Sequence, residues 1–526
     1  MFSLPKVKAY SKALIELIES GNVRSRHALN EEKIRLCKEF GLADMPTNAT
    51  ILSFAGKRNE SLVSMLMVKP TRSLSGIAVV AIMSKPGKCP GKCIYCPSSL
   101  LPNRKTPKSY TGQEPATMRA LAQKFDAKKQ IENRLGQLHE AGHSTSKVEL
   151  IVMGGTFLSH LPAYQKKFML SSINALCNSN SRSLEAARKK AESSKTRITG
   201  ITFETRPDYC GKKEINRMLS FGGTRCELGV QTIYNRVYSK INRGHSVKDV
   251  TKATALLKDT AFKVTYHYMP GLPSVSLSQD KKALKEIFKS SGFKPDNLKV
   301  YPCLVIQGTE LFKQWKSGDY KPFSTKKAIR LLFYAKTFVP RWARIMRIQR
   351  DIPAQLIEAG VKKSNLRQLV QEEMHSKGLE CNCIRCREAG LLQASTESMQ
   401  DARLFVEDYE AGKGLETFIS LEGKGRKALF GFARLRFPAK PFRKEISQDT
   451  ALLRELRVFG IPLPLHQKRP GSIQHKGFGK RLLQEAEQIS RDNGMKSLTV
   501  ISGLGVKPYY YSQGFKQDGF FVSKSL

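Results

Sequence analysis

The order of apolar and polar residues divides the chain into distinct patterns. Residues 1–75 carry apolar side chains at three- and four-residue spacing, as in SKALIELIES, which predicts a small helical module. From residue 76, short β-rich runs alternate with helix-like segments, and this alternation predicts parallel β/α units. Six such runs indicate a partial (β/α)6 barrel, with its chemistry at the C-terminal ends of the strands. The runs are 76–84, 148–155, 198–205, 225–231, 263–271 and 297–306.

A second folded unit is predicted after residue 395. ARLFVEDYE, LETFISLE and KALFGFARLRF are typical of successive antiparallel strands. A strand ELRVFG, a helix from about Gly477 to Asp492 and a strand SLTVIS follow, so we expect an α+β domain. The predicted division is a helical module 1–75, a barrel 76–340, a connector 341–395 and an α+β domain 396–526.

The charge balance points to a partner. The chain has 89 Lys and Arg against 45 Asp and Glu, a formal net charge of +44. A polyanion offsets the self-repulsion of such an excess, which favours nucleic acid over the alternative of a generally basic proteome. No apolar run is long enough to span a membrane, and the N-terminus does not resemble a secretory signal. We therefore expect a cytoplasmic protein with no membrane partner.

Three of the eleven cysteines lie close together after the first predicted strand, in Cys89-Pro-Gly-Lys-Cys93-Ile-Tyr-Cys96. Three thiolates at this spacing can hold three irons of a [4Fe–4S] cluster and leave the fourth iron open to S-adenosylmethionine. A zinc site is the alternative, but zinc usually takes four ligands in structural sites and no fourth lies nearby. The C-x3-C-x2-C pattern therefore favours a radical S-adenosylmethionine enzyme. Met153, Gly154 and Gly155, at the end of the second predicted strand, resemble the glycine-rich motif that holds the methionine amino group in such enzymes.

The chain resembles the catalytic subunit of the Elongator complex and its stand-alone archaeal relatives. The resemblance extends from about residue 40 to the end, and Pro97-Ser98-Ser99 departs from the family's pattern after the third cysteine. The segments that carry it are SYTGQEPATMRA, GHSTSKVELIVMGGTF, ETRPDYC, LGVQTIY, NRGHSV, RELRVFG and QHKGFGKRLLQEAE.

This resemblance implies an α/β fold in which a radical S-adenosylmethionine partial barrel is fused to a GNAT-type acetyltransferase domain. It also implies a reaction: a radical formed on the methyl group of acetyl-CoA adds to C5 of the wobble uridine of transfer RNA, and carboxymethyl-type products result. The basic N-terminal module is expected to bind transfer RNA, and a homodimer or Elongator-like subunits are possible partners. A conventional protein lysine acetyltransferase with a structural cluster is the alternative function.

The acetyl-CoA site is expected in the last domain. The segment that begins at Gln474 matches the Q-x-x-G-x-G loop of acetyltransferases, and free backbone N–H groups at a helix start bind anions. The preceding strand should offer backbone groups to the pantetheine arm. The resemblance assigns Tyr510 and Lys147 as catalytic residues that contact acetyl-CoA. Tyr509 is a further candidate for binding acetyl-CoA. The expected cofactor-binding residues are Lys147, Glu455, Leu456, Arg457, Val458, Gln474, Gly477, Phe478, Gly479, Lys480, Tyr509 and Tyr510.

A second cysteine cluster, Cys381, Cys383 and Cys386, lies in the connector. C-x-C-x2-C is metal-ligand spacing, and structural zinc is expected there, with Cys303 or His375 as a possible fourth ligand.

Basic residues near both cysteine clusters predict the nucleic-acid contact. We expect them to form a phosphate-tracking groove and a guide for a single-stranded anticodon loop. These residues are Arg104, Lys105, Lys108, Arg341, Arg344, Arg347 and Arg350.

Overall fold

The fold is described from a computed structural model, which covers residues 4–56, 58–68, 75–392, 399–459 and 477–526. The strands are β1 Ala78–Met83, β2 Lys147–Met153, β3 Arg197–Thr205, β4 Arg225–Gln231, β5 Lys263–Tyr268, β6 Asn297–Val300, β7 Val305–Ile306, β8 Arg344–Arg347, β9 Ile357–Ala359, β10 Arg403–Ala411, β11 Gly414–Glu422, β12 Leu429–Phe437, β13 Thr450–Val458, β14 Ser497–Val500, β15 Lys516–Asp518 and β16 Phe521–Ser525.

The helices lie mainly between the strands of the barrel and in the N-terminal module. They are α1 Leu4–Glu19, α2 Arg26–Glu39, α3 Asn48–Ser53, α4 Glu60–Leu66, α5 Pro115–Ala122, α6 Ala127–Glu140, α7 Pro162–Cys177, α8 Leu184–Glu192, α9 Lys212–Ser220, α10 Asn235–Lys240, α11 Val247–Lys258, α12 Leu277–Lys289, α13 Glu310–Lys316, α14 Thr325–Phe338, α15 Leu366–Ser376, α16 Ile384–Arg387, α17 Ala389–Leu392, α18 Phe478–Asp492 and α19 Lys507–Tyr511. Within the described ranges, no helix is long and apolar enough to cross a membrane.

The N-terminal module is helical, as its sequence predicts. Its helices bury a small apolar core around Tyr10, Leu14 and Leu36. Side-chain caps fix where two of them begin: Ser25 accepts a hydrogen bond from the Ala28 N–H, and Thr47 accepts one from the Thr50 N–H. Each cap satisfies a backbone donor that a helix start leaves free.

The barrel contains seven parallel strands in the order β1-β2-β3-β4-β5-β6-β8. The six strands predicted from the sequence are present, and the run 297–306 divides into β6 and the separate β7. The additional strand β8 lies in the range assigned to the connector, and its Arg344 pairs in register with Asn297 of β6. Strand β8 is only four residues long and rich in arginine, so it lacks the apolar pattern that identifies the other strands.

The last domain is a mixed sheet in the order β10-β11-β12-β13-β14-β16-β15, with α18 packed against it. Neighbouring strands are antiparallel except β13 and β14, which are parallel over Thr450–Leu453 and Ser497–Val500. β14 ends at Val500, whereas β13 continues to Val458 along β12 alone. The two strands therefore leave an opening between them.

The barrel and the last domain share one continuous apolar core. The cluster that contains Val80 and Ile201 of the barrel also contains Phe432 and Leu452 of the last domain. The backbones come close where the segment before α19 crosses β3: a Cβ added to Gly503 would lie 2.3 Å from the Thr199 carbonyl oxygen. One added to Gly505 would lie 2.7 Å from the Arg197 Cα. Only glycine permits this contact.

A buried ionic network also joins the two domains. Arg454 of β13 donates to Asp296, which precedes β6, and to Glu416 of β11, at 3.0 and 2.9 Å. Lys258, at the end of α11, lies 3.2 Å from Asp296 and 3.3 Å from Glu416. These four side chains are at most 1% exposed. Each charge in the network has a partner of opposite sign, and these attractions offset the cost of burying the charged groups.

Candidate active site

The first cysteine cluster lies on the loop after β1, at the C-terminal edge of the barrel. Cys89, Cys93 and Cys96 are half-buried, whereas Ile94 and Tyr95 between them are buried in an apolar cluster. The Ile94 N–H donates to the Ile241 carbonyl at 3.1 Å, which fixes the loop to the segment after α10. The thiols thus lie at the edge where barrel enzymes carry their chemistry.

Two arginines provide positive charge beside these thiols. Arg243 Nη1 lies 3.5 Å from the Cys93 Sγ. Arg206 pairs with Asp208, while its Nη1 is buried without a partner among the described residues. A Cβ added to Gly91 would lie 2.1 Å from that Nη1, so the glycine lets the loop approach the arginine. Burial, together with Cys93, raises the pKa of the Cys96 thiol to about 11.

The spacing of the three thiols differs from that of a site for one ion. In the described part of the chain, metal-binding atoms lie within 4.8 Å of one another for Cys381, Cys383 and Cys386, but not for the first cluster. In a [4Fe–4S] cluster each thiolate binds a different iron, so the sulfur atoms need not converge on one point. The donor set and the neighbouring arginines fit such a cluster.

Gly154 and Gly155 follow β2 and lie at the C-terminal edge of the barrel, next to the cysteine loop. Gly154 and Gly155 have φ angles of +128° and +69°, which residues other than glycine rarely adopt. A Cβ added to Gly154 would lie 2.2 Å from the Ser84 Oγ. The Ser84 N–H donates to the Met153 carbonyl at 3.1 Å, so this edge lies against the start of the cysteine loop.

The opening between β13 and β14 lies near the start of α18. Gly477 caps this helix with φ +77°, and Phe478, Gly479 and Lys480 form its first turn. Residues Glu455, Leu456, Arg457 and Val458 form the part of β13 that extends beyond β14. Gln474, which the sequence also assigns to this loop, lies outside the described residues.

The two candidate tyrosines have different surroundings. Tyr510 is 5% exposed, and its ring packs edge-on against Tyr509 and Phe515 in the domain core. The Tyr509 hydroxyl is buried without a partner among the described residues, and a Cβ on Gly479 would lie 3.3 Å from it. Burial raises the pKa of Tyr509, so its hydroxyl stays protonated and can donate. The geometry therefore favours Tyr509 as the polar group that faces the helix start.

Lys147 begins β2 at the opposite, N-terminal edge of the barrel. It is half-buried, and burial together with Arg197 lowers the pKa of its ammonium group. Glu149, two residues along the same strand, lines a cavity of about 200 Å³ between this edge and the last domain. The side chains of Glu455 and Arg457 also line this cavity.

The second cysteine cluster forms a compact set. The three sulfur atoms lie within 4.8 Å of one another, and Lys336 Nζ lies 3.3 Å from the Cys386 Sγ. The proposed fourth ligands do not join it. Cys303 is buried in the apolar cluster with Ile94, and His375 is exposed on α15.

The connector arginines are largely engaged within the protein, which differs from the open groove expected from the sequence. Arg344 Nη2 donates to Glu388 at 2.8 Å, Arg341 to the Arg426 carbonyl at 2.8 Å, and Arg350 to the Ser109 carbonyl at 2.6 Å. Arg347 pairs with Asp351. By contrast, Arg104, Lys105 and Lys108 are exposed on the loop after the cysteines.

Sequence reasoning did not identify a charged cluster inside the barrel. Glu204, Glu227, His267 and Lys299 come from four neighbouring strands, and the His267 Nε2 lies 2.7 Å from a Glu227 oxygen. Charged residues at alternate positions in otherwise apolar strands are the signal that could have revealed it.

Three family models match the chain. The ELP3 N-terminal domain matches residues 6–74, the Radical SAM superfamily matches residues 83–287, and the Radical SAM C-terminal domain matches residues 295–376. The radical SAM match implies a [4Fe–4S] cluster and S-adenosylmethionine.

Similar proteins cover nearly the whole chain. The tRNA uridine(34) acetyltransferase of Methanocaldococcus infernus is 49% identical over 489 residues, which cover 91% of this chain and 92% of the relative. Elongator complex protein 3 of Schizosaccharomyces pombe is 41% identical and covers 99% of this chain and 98% of its own length. The structure of the archaeal Methanocaldococcus infernus Elp3 with residues 1–46 deleted matches with a TM-score of 0.76 and 45% identity, over 86% of this chain and 100% of that one. The chain therefore belongs to the family of the tRNA uridine(34) acetyltransferases and Elongator complex protein 3, as the resemblance in its sequence predicts.

Proposed function

We propose that this protein modifies the wobble uridine of transfer RNA, with acetyl-CoA as the carbon donor and S-adenosylmethionine as the radical source. The observation that carries the proposal is the pairing of two units in one core: a barrel with a thiol loop at its catalytic edge, and a domain with an open strand pair beside a helix start. The archaeal relative is named a tRNA uridine(34) acetyltransferase, which supports transfer RNA as the substrate and an acetyl donor.

In the barrel, Cys89, Cys93 and Cys96 would hold the [4Fe–4S] cluster. When bound, the cluster and S-adenosylmethionine supply a 5′-deoxyadenosyl radical. The guanidinium of Arg243, which lies 3.5 Å from the Cys93 Sγ, would place positive charge beside the bound cluster. The left-handed backbone at Gly154 and Gly155 leaves the edge of β2 free of side chains, so that a ligand can approach the main chain closely.

In the last domain, the start of α18 would bind the pyrophosphate of acetyl-CoA. The backbone N–H groups of its first turn have no partner within the helix and favour anions. The β13 segment beyond β14 offers main-chain groups to the pantetheine arm. Tyr509, whose hydroxyl faces the start of this helix, would donate a hydrogen bond to the bound acetyl-CoA, and Lys147 would contact acetyl-CoA from the barrel.

The anticodon loop of the transfer RNA is the proposed target. Its bases are single-stranded, so they can be turned out of the stack and read individually. The exposed Arg104, Lys105 and Lys108 lie on the cysteine loop and would contact phosphates close to the reacting base. The N-terminal module would add further contacts. Zinc, held by Cys381, Cys383 and Cys386, would stabilise the connector beside the barrel.

The test is an anaerobic reconstitution with iron and sulfide, followed by incubation with transfer RNA, acetyl-CoA, S-adenosylmethionine and a low-potential reductant. Mass spectrometry of the nucleosides should detect a carboxymethyl-type uridine. Cys93→Ala should abolish this product and 5′-deoxyadenosine formation, while acetyl-CoA binding is retained. Cys37→Ala, at a half-buried cysteine of the N-terminal module, is the matched control. Modified uridine from Cys93→Ala at the wild-type rate would exclude the radical mechanism.

A further inference from the structure

The inner face of the barrel is charged. In β4, Cys226 and Leu228 point outward and are buried in the apolar core. Arg225 and Glu227 lie on the other face, and they pair with Glu149 of β2 and Lys299 of β6. Apolar side chains usually fill the interior of such a barrel. A charged interior is therefore a feature that folding alone does not require.

Four of these residues form one group, which we call the lumen set: Glu204, Glu227, His267 and Lys299. Lys299 pairs with Glu227, and the His267 Nε2 lies 2.7 Å from the same carboxylate. Three members lie near the C-terminal ends of β3, β5 and β6. The lumen set is therefore close to the edge that carries the cysteine loop, and the Tyr110 hydroxyl from that loop donates to Glu204 at 3.2 Å.

One carboxylate oxygen of the lumen set is buried without a hydrogen-bond partner among the described residues. Glu227 is 1% exposed, yet its Oε1 has no partner. Glu204 Oε1 is 3.9 Å from the Lys299 Nζ, which is too long for a hydrogen bond between them. Glu204 and Lys299 are therefore close to each other without being hydrogen-bonded, which leaves both groups able to bind a polar ligand.

The charges define the kind of ligand. Two carboxylates and a histidine would suit a divalent cation, but the ammonium group of Lys299 already lies beside both carboxylates. Repulsion from this group disfavours a metal ion. The side chains of Glu204 and Lys299 are 18% and 8% exposed, so an acceptor and a donor are accessible side by side. A neutral group with an adjacent donor and acceptor complements them.

Uracil has this pattern on its Watson–Crick edge. Its N3–H is a donor beside the O4 acceptor, whereas cytosine has an N3 acceptor beside an amino donor. Glu204 can accept from N3–H while Lys299 donates to O4. Cytosine would place an acceptor against the carboxylate and a donor against the ammonium group. Enzymes that act on single bases commonly read a turned-out base through this edge.

We propose that Glu204 and Lys299 bind the N3–H and O4 of the target uracil and thereby select uracil over cytosine. Glu227 and His267 act as positioning residues, because Glu227 pairs with Lys299 and His267 in turn contacts Glu227. The inference rests on the proposed function, since it requires the base to enter the mouth of the barrel.

The test measures kcat/KM on anticodon stem-loop RNAs that carry uridine or 3-methyluridine at the target position. N3-methylation removes the donor, so the wild type should lose about ten- to a hundredfold in kcat/KM, the value of a good base contact. Glu204→Leu should lose a similar factor on uridine and almost nothing more on 3-methyluridine. Glu204→Gln keeps an acceptor and should retain part of the discrimination. Glu310→Leu, at an exposed glutamate of α13, is the control.

The ratio between the two RNAs separates base reading from a structural role, because general destabilisation lowers both rates equally. If Glu204→Leu discriminates between them as strongly as the wild type, the inference is wrong and the proposed function stands. If the wild type makes no product from the uridine RNA, both are wrong. Thermal unfolding of each variant confirms that the rates refer to folded protein.

Discussion

Arg454 and Asp296 form a fully buried ion pair that joins the last domain to the barrel, with the arginine Nη1 3.0 Å from the carboxylate Oδ2. Arg454→Leu would leave Asp296 and Glu416 with less compensating charge. Because removal of one partner from a buried pair typically costs about 3–5 kcal/mol, we expect a loss of that size in the free energy of unfolding. Urea denaturation measures it, and Arg403→Leu, at an exposed position on β10, serves as control. A loss below about 1 kcal/mol, the range of exposed pairs, would contradict this account.

Glu455 gives a pH dependence of stability. Burial would raise the pKa of its carboxyl, but Lys263 and Arg434 outweigh burial and lower the pKa to about 2. The unfolded carboxyl has a pKa of about 4.3. The stabilisation is therefore present above pH ~4.3 and is lost as the pH falls towards 2. Urea denaturation from pH 6 to 2 should show a shallower loss for Glu455→Gln than for the wild type, and parallel curves would refute the assignment.

The two tyrosines of α19 should respond differently to substitution. Tyr509→Phe removes a hydroxyl with no partner among the described residues, so stability should stay nearly unchanged while turnover with acetyl-CoA falls. Tyr510→Ala removes a ring from the core and should cost about 3–5 kcal/mol, as large aromatic truncations do. Thermal unfolding and CoA release from reconstituted enzyme separate the two effects. Unchanged turnover in Tyr509→Phe would mean that its hydroxyl does not assist the reaction of acetyl-CoA.

The second cysteine cluster should hold zinc. Cys383→Ser should remove about one equivalent of zinc per chain and lower the unfolding temperature, because a structural site needs all its thiolates. Absorbance of the iron–sulfur cluster per folded molecule should not change. Cys177→Ser, at a buried cysteine of α7, controls for general loss of a thiol. Absence of zinc from anaerobically purified wild type would disprove the assignment.

Transfer RNA binding should weaken steeply with salt. Reversing the charge of Arg104 and Lys105 should reduce the log–log slope by roughly 0.7–0.9 for each lost phosphate contact. Lys189→Glu, on the exposed face of α8, is the comparison. Fluorescence anisotropy from 50 to 300 mM salt gives the slopes. An identical slope in the double variant and in the wild type would place the RNA on another surface.

The barrel could be predicted from sequence because apolar runs alternate regularly with helical segments. Strand β8 could not be predicted, because Arg344 and Arg347 are typical of a basic surface when the sequence is considered alone. In the folded protein, Arg344 pairs in register with Asn297 and forms an ion pair with Glu388. A sequence pattern identifies a strand by its own apolar residues, whereas β8 is a strand because it pairs with β6.

The candidate site divides in a similar way. The spacing of Cys89, Cys93 and Cys96 identifies the loop, because the chemistry depends on neighbours in sequence. The lumen set could not be found in this way, since Glu204 and Lys299 are brought together only by the order of the strands. Tyr509 and Tyr510 are adjacent in sequence, and only packing distinguishes the buried ring from the unpartnered hydroxyl.

Gly503 and Gly505 lie against the backbone of β3, far along the chain from every residue proposed to bind a ligand in the barrel. In a saturation mutagenesis screen scored by activity, alanine at either position would force the domains apart and score as severely as loss of a catalytic cysteine. The loss of activity on substitution of these glycines would reflect impaired packing of the two domains rather than a role in the reaction. A screen that also measures abundance would distinguish the two classes, since a docking defect depletes the protein whereas loss of a catalytic thiol leaves it present and inactive.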